Sequence, residues 1–515
     1  MTGAECLLRT LADNGVRVCF MNPGTSEMHL VAALDRIPQL RGILCLQEAV
    51  CAGAADGYAR MTGFPAAALL HLGPGLGNAL SNLHNARKAR SPVVALVGEH
   101  ATTHLRHDAP LSSDIAAFAR TVSRHIVTVP GVDAIGAAAA AVIAGALGPP
   151  SGVGTLIIPA DFSWSPSNSP LPRVPAAVRP APEPSRLEQA LKVLASDARA
   201  GFILGGSALA DHGALAAAGR IADARGARFF GDRTAPRNRS GREDFWVRRV
   251  PYFPEDAGLA LAGLTHLFFV EAQVPVSFFG YANTPASPVP EGCALSTLAA
   301  PGEDGPAALK MLADELPGSE LRPRVLYAPP AVAADGPLTV DALGRTLAAL
   351  LPAETIISDE MISSREPVLA HLLHAAPHDQ LPVTGGSIGQ GLPVAVGAAV
   401  ACPARKVCAL EADGSAMYSL QALWTMAREN LDVVTIVFAN RRYRILDIEM
   451  RRTGAAAAGP KADAMLALDR PELDFVRLAQ GMGVRATRAV TAGEFAAQLR
   501  LAFAHSGPCL IEAML

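Results

Sequence analysis

The sequence predicts an α/β protein built from three doubly wound parallel-sheet domains. Three observations carry that reading. The chain has 515 residues, too long for a single core and suited to about three domains. Short β-branched runs alternate with Ala- and Leu-rich stretches, as at Val93-Val94-Ala95-Leu96-Val97, Gly154-Thr155-Leu156-Ile157-Ile158 and Thr355-Ile356-Ile357. That alternation is the pattern of parallel strands covered by helices. Several of the runs also lead through a tight, small-residue turn into a helical stretch, which is the edge where open α/β sheets bind ligands.

Two breaks divide the chain. Residues 163–185 carry Pro166, Pro170, Pro172, Pro175, Pro180, Pro182 and Pro184 and read as an extended linker. A second irregular stretch is expected over 301–337, with Pro329-Pro330 and Gly336-Pro337. The expected domains are therefore 1–165, 185–325 and 338–515. The alanine patches Ala137 to Ala141 and Ala455 to Ala458 have the composition of helix or loop, with no function attached.

Composition excludes several classes. Half the residues are apolar, yet no run reaches the ~20 residues that span a bilayer. The N-terminus, Met1-Thr2-Gly3-Ala4-Glu5, lacks the basic-then-apolar order of a signal peptide. A net charge of -3 gives no case for nucleic acid. The eight cysteines show no CxxC or CxxH spacing, so free, mostly buried thiols in a reducing cytoplasm are expected. A cytoplasmic protein with neither membrane nor nucleic-acid partner follows.

The first domain carries polar groups at three strand ends. Val16 to Phe20 leads into Met21-Asn22-Pro23-Gly24-Thr25-Ser26-Glu27, with the Thr25 and Ser26 hydroxyls at the turn. In Leu44-Cys45-Leu46-Gln47-Glu48-Ala49, Glu48 starts a helix rich in small residues. Ala66 to Leu70 leads into His71-Leu72-Gly73-Pro74-Gly75-Leu76-Gly77-Asn78. Each alone also serves structure, as a dipole partner, a helix cap or a turn residue. Together they converge on one sheet edge. In the middle domain, Ile203-Leu204-Gly205-Gly206-Ser207 is like the opening of a dinucleotide fold without the GxGxxG spacing; a tight structural turn is expected there.

The last domain holds the most informative pair. Lys406 to Leu410 runs into Glu411-Ala412-Asp413-Gly414-Ser415, and Val433 to Phe438 runs into Ala439-Asn440-Arg441-Arg442-Tyr443. Two parallel strands with a helix between them would bring Asp413 and Asn440 to one edge. A carboxylate and an amide oxygen suit Mg²⁺, which usually also takes phosphate oxygens. Gly414 and Ser415 open a helix whose free N–H groups favour phosphate.

Together these segments resemble the thiamine diphosphate enzymes of the benzoylformate decarboxylase and acetolactate synthase superfamily, over nearly the whole chain. The resemblance implies a pyrimidine-binding, a central Rossmann-like and a diphosphate-binding domain. The family fingerprint is Gly-Asp-Gly followed at a distance by Asn. Asp413-Gly414 and Asn440 fit it with 25 residues between Gly414 and Asn440, and Ala412 replaces the first glycine. By resemblance, the Asp413 and Asn440 side chains and the Arg442 carbonyl ligate Mg²⁺, and Ser415 binds diphosphate. Asn78 and Tyr443 lie at the cofactor, and Glu48 sits beside the pyrimidine N1′. Gly386-Ser387-Ile388-Gly389 matches the segment that supports the bent cofactor, with Ile388 between the rings and the Gly386 carbonyl on the 4′-amino group. Arg441-Arg442 stand where small residues are common.

The implied activity is non-oxidative decarboxylation of a 2-oxo acid, carboligation, or both. His71 matches the catalytic histidine of the decarboxylases, and Thr25, with Ser26 beside it, the hydroxyl for the substrate carboxylate. The decarboxylases' second histidine should fall in Phe278-Phe279-Gly280-Tyr281, where Gly280 stands; His107 is either a substitute imidazole or a solvated loop residue. Leu446 replaces the glutamate of pyruvate decarboxylases, and with Phe278, Phe279 and Tyr281 implies room for larger or aromatic substrates. FAD is not expected, because the central domain is short and lacks the glycine-rich FAD segments. A homodimer or homotetramer with sites at the chain interface is implied. The alternatives are an acetolactate synthase condensing two pyruvates, a non-catalytic thiamine diphosphate-binding or regulatory subunit, and a different diphosphate ligand such as a nucleotide. The last leaves Glu48 and Gly386-Ser387-Ile388 without a role.

Overall fold

The computed structural model describes residues 1–243, 245–318, 328, 330–455 and 459–515, and three parallel sheets organise them. The first contains β1 (Val18–Asn22), β2 (Arg41–Leu44), β3 (Ala66–Leu70), β4 (Val93–Glu99), β5 (His125–Thr128) and β6 (Val153–Pro159). Its order is β2-β1-β3-β4-β6-β5, parallel throughout. The chain next lays down β7 (Ala200–Leu204), β8 (Arg228–Gly231), a short β9 (Asn238–Ser240), β10 (Arg248–Arg249), β11 (His266–Val270) and β12 (Ala294–Ala299). All but β9 form the second parallel sheet, β10-β8-β7-β11-β12. The third comprises β13 (Thr355–Glu360), β14 (His378–Pro382), β15 (Val407–Ala412), β16 (Val433–Ala439), β17 (Arg485–Ala489) and β18 (Cys509–Met514). Its order is β17-β18-β16-β15-β13-β14-β9, with β9 crossing over to pair antiparallel with β14. Strands such as β3 and β16 are buried along their whole length. Sheets covered on both faces select such continuous apolar runs.

The small residues after Glu48 have a packing reason. Helix Glu48–Thr62 crosses helix Gly391–Ala401 so closely that a Cβ on Gly57 would overlap the Val394 carbonyl, and one on Gly397 the Ala54 carbonyl. One apolar core therefore runs through the first and third sheets, joining Val50 and Ala54 to Val394, Ala398 and Leu423. Arg60, on the same helix, is fully buried with Asp56. It also donates to the carbonyls of Pro382 at 2.8 Å and Pro236 at 3.4 Å and to the Thr384 hydroxyl at 3.0 Å. One guanidinium thus ties three sheets' segments together.

The proline-rich linker is extended: residues 167–183 form neither helix nor strand. The stretch 301–337 is less irregular than expected, because helix Gly305–Glu315 forms inside it. Asp304 caps that helix, its proline sits in the first turn where no N–H is needed, and Ala308, Leu309, Leu312 and Ala313 bury one face. Pro329 and Ala456 to Ala458 lie outside the described residues, and Ala137 to Ala141 fall within helix Ile135–Leu147. All eight cysteines are free, six of them buried. Among the described residues no helix is long and apolar enough to cross a membrane.

Candidate active site

The first sheet brings its polar strand ends together. Glu48 is the first residue of its helix and is buried. The Gln47 side chain caps that helix by accepting from the Ala49 and Val50 N–H groups. Asn78, on helix Leu72–Ala89, donates to Glu48 Oε2 at 3.1 Å. His71 precedes that helix, and its Nδ1 lies 2.7 Å from Oε2 of Glu27. Glu27 is fully buried, also accepts from the Gly24 N–H at 2.8 Å, and its other oxygen has no partner among the described residues. Burial holds the Glu27 carboxyl above its usual range, while the Gly24 N–H and His71 pull against that shift. Thr25, exposed, and Ser26, half-buried, complete the turn Thr25–Glu27. His107 is not in this group. It lies exposed in the turn Leu105–His107, 3.2 Å from the Arg106 Nε and with its ring tilted against that of His104 at 5.7 Å.

The third sheet places Asp413 and Asn440 at neighbouring strand ends, since β15 and β16 pair in parallel with Ala412 opposite Phe438. Asp413 is buried; its oxygens accept from the Gly414 N–H at 2.8 Å and the Arg441 N–H at 2.5 Å. Burial raises its carboxyl, and these backbone donors oppose the shift. Asn440 Oδ1 accepts from the Arg442 N–H at 2.9 Å. The Arg442 guanidinium is engaged by Asp447 and Asp463 and turns away from these oxygens. Gly414 packs against the Tyr443 ring, and Ser415 is buried in the short helix Asp413–Ala416. The set is all oxygen, a hard-cation donor set.

The loop Gly386–Gly389 is pinned from two sides. Asn85 donates to the Ser387 carbonyl at 2.7 Å and accepts from its N–H at 3.2 Å, and Asn82 donates to the Gly389 carbonyl at 3.2 Å and to that of Ala49 at 2.8 Å. From below, Glu360 accepts from the Gly389 N–H at 2.7 Å and from the Gly391 N–H. Burial pushes the Glu360 carboxyl up to about 7. Glu411, opposite it across β13 and β15, is raised further by burial and by Glu360, and its oxygens have no partner among the described residues. Gly386 has φ +80° and meets the tip of the Phe278 ring. Phe278 meets the Phe279 ring edge-on at 5.1 Å and the tilted Tyr252 ring at 5.2 Å. Tyr281 donates to Glu449 at 2.9 Å on helix Arg444–Arg452, which also carries the half-exposed Leu446. The loop with Gly280 is therefore brought beside Leu446 and Gly386.

Sequence reasoning missed Glu27, Asn82, Asn85 and Glu360. The asparagines had a signal: Asn78, Asn82 and Asn85 recur at i, i+4 and i+7, one face of a helix. Glu27 closes the capping box of its own turn, a local role that gives no hint of its contact with His71.

Two family profiles match, described as the N-terminal and C-terminal TPP binding domains of thiamine pyrophosphate enzymes, over residues 1–119 and 367–513. IlvX of Mycobacterium tuberculosis, whose name assigns it provisionally to the acetolactate synthase large subunits, is 48% identical over 99% of this chain and 98% of its own. The chain belongs to the thiamine pyrophosphate enzyme family. Benzoylformate decarboxylase of Pseudomonas aeruginosa is 28% identical to this thiamine diphosphate enzyme over 98% of the chain and 96% of its own length. Among solved structures, the thiamine diphosphate-dependent 4-hydroxybenzoylformate decarboxylase of Rhodococcus jostii RHA1 superposes with a TM-score of 0.87 at 24% identity, covering 99% of this chain and 98% of that one. That likeness shows the enzyme's fold. The three-sheet architecture and the cofactor class inferred from Asp413, Asn440 and Glu48 are those of the family.

Proposed function

We propose that this enzyme decarboxylates a 2-oxo acid without oxidation, in the manner of a benzoylformate decarboxylase, converting 2-oxo acid and H⁺ into aldehyde and CO₂. The observation that carries the reading is the pairing of the partly exposed His71 with buried Glu27 at the sheet edge that also holds Glu48. Thiamine diphosphate, when bound, supplies a carbon nucleophile and an electron sink for the departing CO₂. Asp413, Asn440 and the Arg442 carbonyl would hold Mg²⁺, and Ser415 and Gly414 the diphosphate. Glu48, steadied by Asn78, would hold the pyrimidine N1′, with Gly386, Ser387, Ile388 and Tyr443 completing the cradle. Glu27 fixes the His71 ring by accepting at Nδ1. Nε2 is left to exchange a proton with the substrate oxygen or carbon. The Thr25 hydroxyl, and that of Ser26 beside it, would donate to the substrate carboxylate. Phe278, Phe279, Tyr281 and Leu446 would exclude water around a larger side chain.

A second reading, acetolactate synthase, is favoured by the 48% identity to IlvX. A screen of 2-oxo acids with thiamine diphosphate and Mg²⁺ separates the two. Aldehyde supports decarboxylation and acetohydroxy acid from pyruvate supports the second reading. No CO₂ from any 2-oxo acid, or full activity after chelation and dialysis against EDTA, overturns the proposal. No FAD is assigned, and a flavin absorption band in the isolated protein would contradict that. A homodimer or homotetramer is assigned because Thr25, Gly386, Leu446, Met417 and Tyr418 leave apolar and site surface exposed on one chain. An active 53.4 kDa species in sedimentation would contradict it. Eight free thiols support a cytoplasmic setting.

A further inference from the structure

The central sheet reverses its strand order between β7 and β11. In open parallel sheets the crevice outside the carboxyl ends of such strands is where a ligand binds. In this protein a side chain fills it. Gly205-Gly206-Ser207 follows β7, and Glu271 follows β11 in the left-handed region, φ +53°. Its carboxylate turns back into the crevice, and the residue is 6% exposed. Oε2 accepts from the Ser207 N–H at 2.8 Å, and Oε1 accepts from the Ser207 hydroxyl at 2.6 Å and the Gly305 N–H at 3.1 Å. Arg179, from the proline-rich linker, lies 3.9 Å from Oε1 and donates to the Ser207 hydroxyl at 2.5 Å. Two backbone N–H groups, a hydroxyl and a guanidinium are the donors with which proteins hold a phosphate.

The fit is built into the backbone on both sides. A Cβ on Gly205 would run into the Glu271 carbonyl, and one on Gly206 or Gly305 into its carboxylate. Arg90, at the end of helix Leu72–Ala89 in the first domain, donates to the Glu271 carbonyl at 3.1 Å. Two adjacent glycines, a third from a distant segment, a left-handed backbone and donors from the linker and two central segments thus meet at the Glu271 carboxylate, and the first domain holds the same residue by its carbonyl. Burial raises this carboxyl, and the Ser207, Arg179 and Gly305 contacts counter that shift.

We propose that Glu271 is a built-in anion that occupies the ligand crevice of the central sheet, closing this domain to nucleotides and making it a bracket between linker and first domain. The crevice then becomes a phosphate site only when the carboxylate is removed. This does not rest on the reaction assigned above.

The test uses the full chain saturated with thiamine diphosphate and Mg²⁺, so that its own diphosphate site is filled. Thermal unfolding is followed in increasing inorganic phosphate for wild type, Glu271→Ala and Glu271→Gln, and ADP and FAD retention is measured by equilibrium dialysis. The Ala variant should melt below wild type, its midpoint should climb with phosphate, and it should retain ADP. Wild type should show no climb and retain neither nucleotide. The Gln variant, which refills the space, should melt lower but stay indifferent to phosphate. Stoichiometric ADP or FAD on wild type overturns the proposal. So does an Ala variant that melts like wild type and ignores phosphate. Should the Ala variant not fold, the dialysis of wild type and the melting of the Gln variant decide: no nucleotide on wild type with a lowered midpoint for Gln supports the proposal, and an unchanged Gln midpoint overturns it.

Discussion

Replacing Arg60 with methionine tests whether the three sheets are held at one point. Arg60 and Asp56 are both 0% exposed at the side chain. Two hydrogen bonds at 2.8 and 2.5 Å join them, and the guanidinium also satisfies Pro382, Pro236 and Thr384. Methionine keeps the stem but leaves a buried carboxylate without its counter-charge. Breaking a buried pair from one side costs about 3–5 kcal/mol, and the Pro382 carbonyl and Thr384 hydroxyl add about 1–3 kcal/mol if nothing replaces the donor. The double variant Asp56→Leu, Arg60→Met removes the stranded charge and should recover most of the first share but not the second. Urea unfolding read by fluorescence is suited to this, because Trp164, Trp246 and Trp424 fall one to each third of the chain. The single variant should lower the transition midpoint in all parts together. A loss below about 1 kcal/mol, the range of ordinary surface changes, or a double variant worse than the single one, refutes the keystone role.

Glu27→Gln should lower kcat/KM for CO₂ release by roughly 10- to 100-fold, since a hydrogen bond to a charged group contributes about 1.5–3 kcal/mol; thiamine diphosphate affinity, measured by fluorescence quenching, should stay near wild type. Glu360, whose carboxyl is raised from 4.5 to about 7, binds its proton more tightly in the fold than in the unfolded chain. Its contribution is therefore full below pH 4.5 and lost as pH rises towards 7, on the order of 3 kcal/mol over that window. Melting midpoints should fall more steeply with pH between 5 and 7 in wild type than in Glu360→Gln. Tyr281→Phe removes the hydrogen bond to Glu449 and should raise KM for bulky 2-oxo acids several-fold with kcat little changed; an unchanged KM contradicts the placing of that loop at the pocket.

The legible parts of the sequence were those where chemistry coincides with a strand end. Asp413, Asn440, Glu48 and His71 each follow a strand run, so periodicity placed them beyond strand ends, and in the third sheet Asp413 and Asn440 stand on neighbouring strands. β9 was illegible because Asn238-Arg239-Ser240 has no apolar residue, and its partner β14 is polar too. What holds them is charge: buried Asp379 between Arg237 at 2.7 Å and Arg405 at 2.6 Å. Glu27 was illegible for a different reason. Its sequence neighbours explain it as a cap, and only tertiary structure puts a histidine 44 positions away against its second role. Glu360 lay hidden as the tail of an apolar strand, since a buried carboxylate satisfied by backbone N–H groups of a distant loop leaves no local trace. Helix Gly305–Glu315 was obscured by its flanking prolines, which mark its start and not its absence.

The crossing of helices Glu48–Thr62 and Gly391–Ala401 governs where this molecule is able to breathe. At Gly57 and Gly397 main chain meets main chain, with no side chain between to change rotamer. Neither helix slides past the other without parting, and the shared core must open with them. Glu48 begins one helix and the loop Gly386–Gly389 leads into the other, so the interval between these two elements is a fixed dimension, like the gauge of a rail. The segments around Phe278 and helix Arg444–Arg452 are joined differently, through Tyr281–Glu449 and through Arg452 reaching Glu255 and the Phe253 ring. Those are long side chains with exchangeable partners. Give within one chain is therefore easier on that flank, and the helix crossing serves as a datum against which it moves.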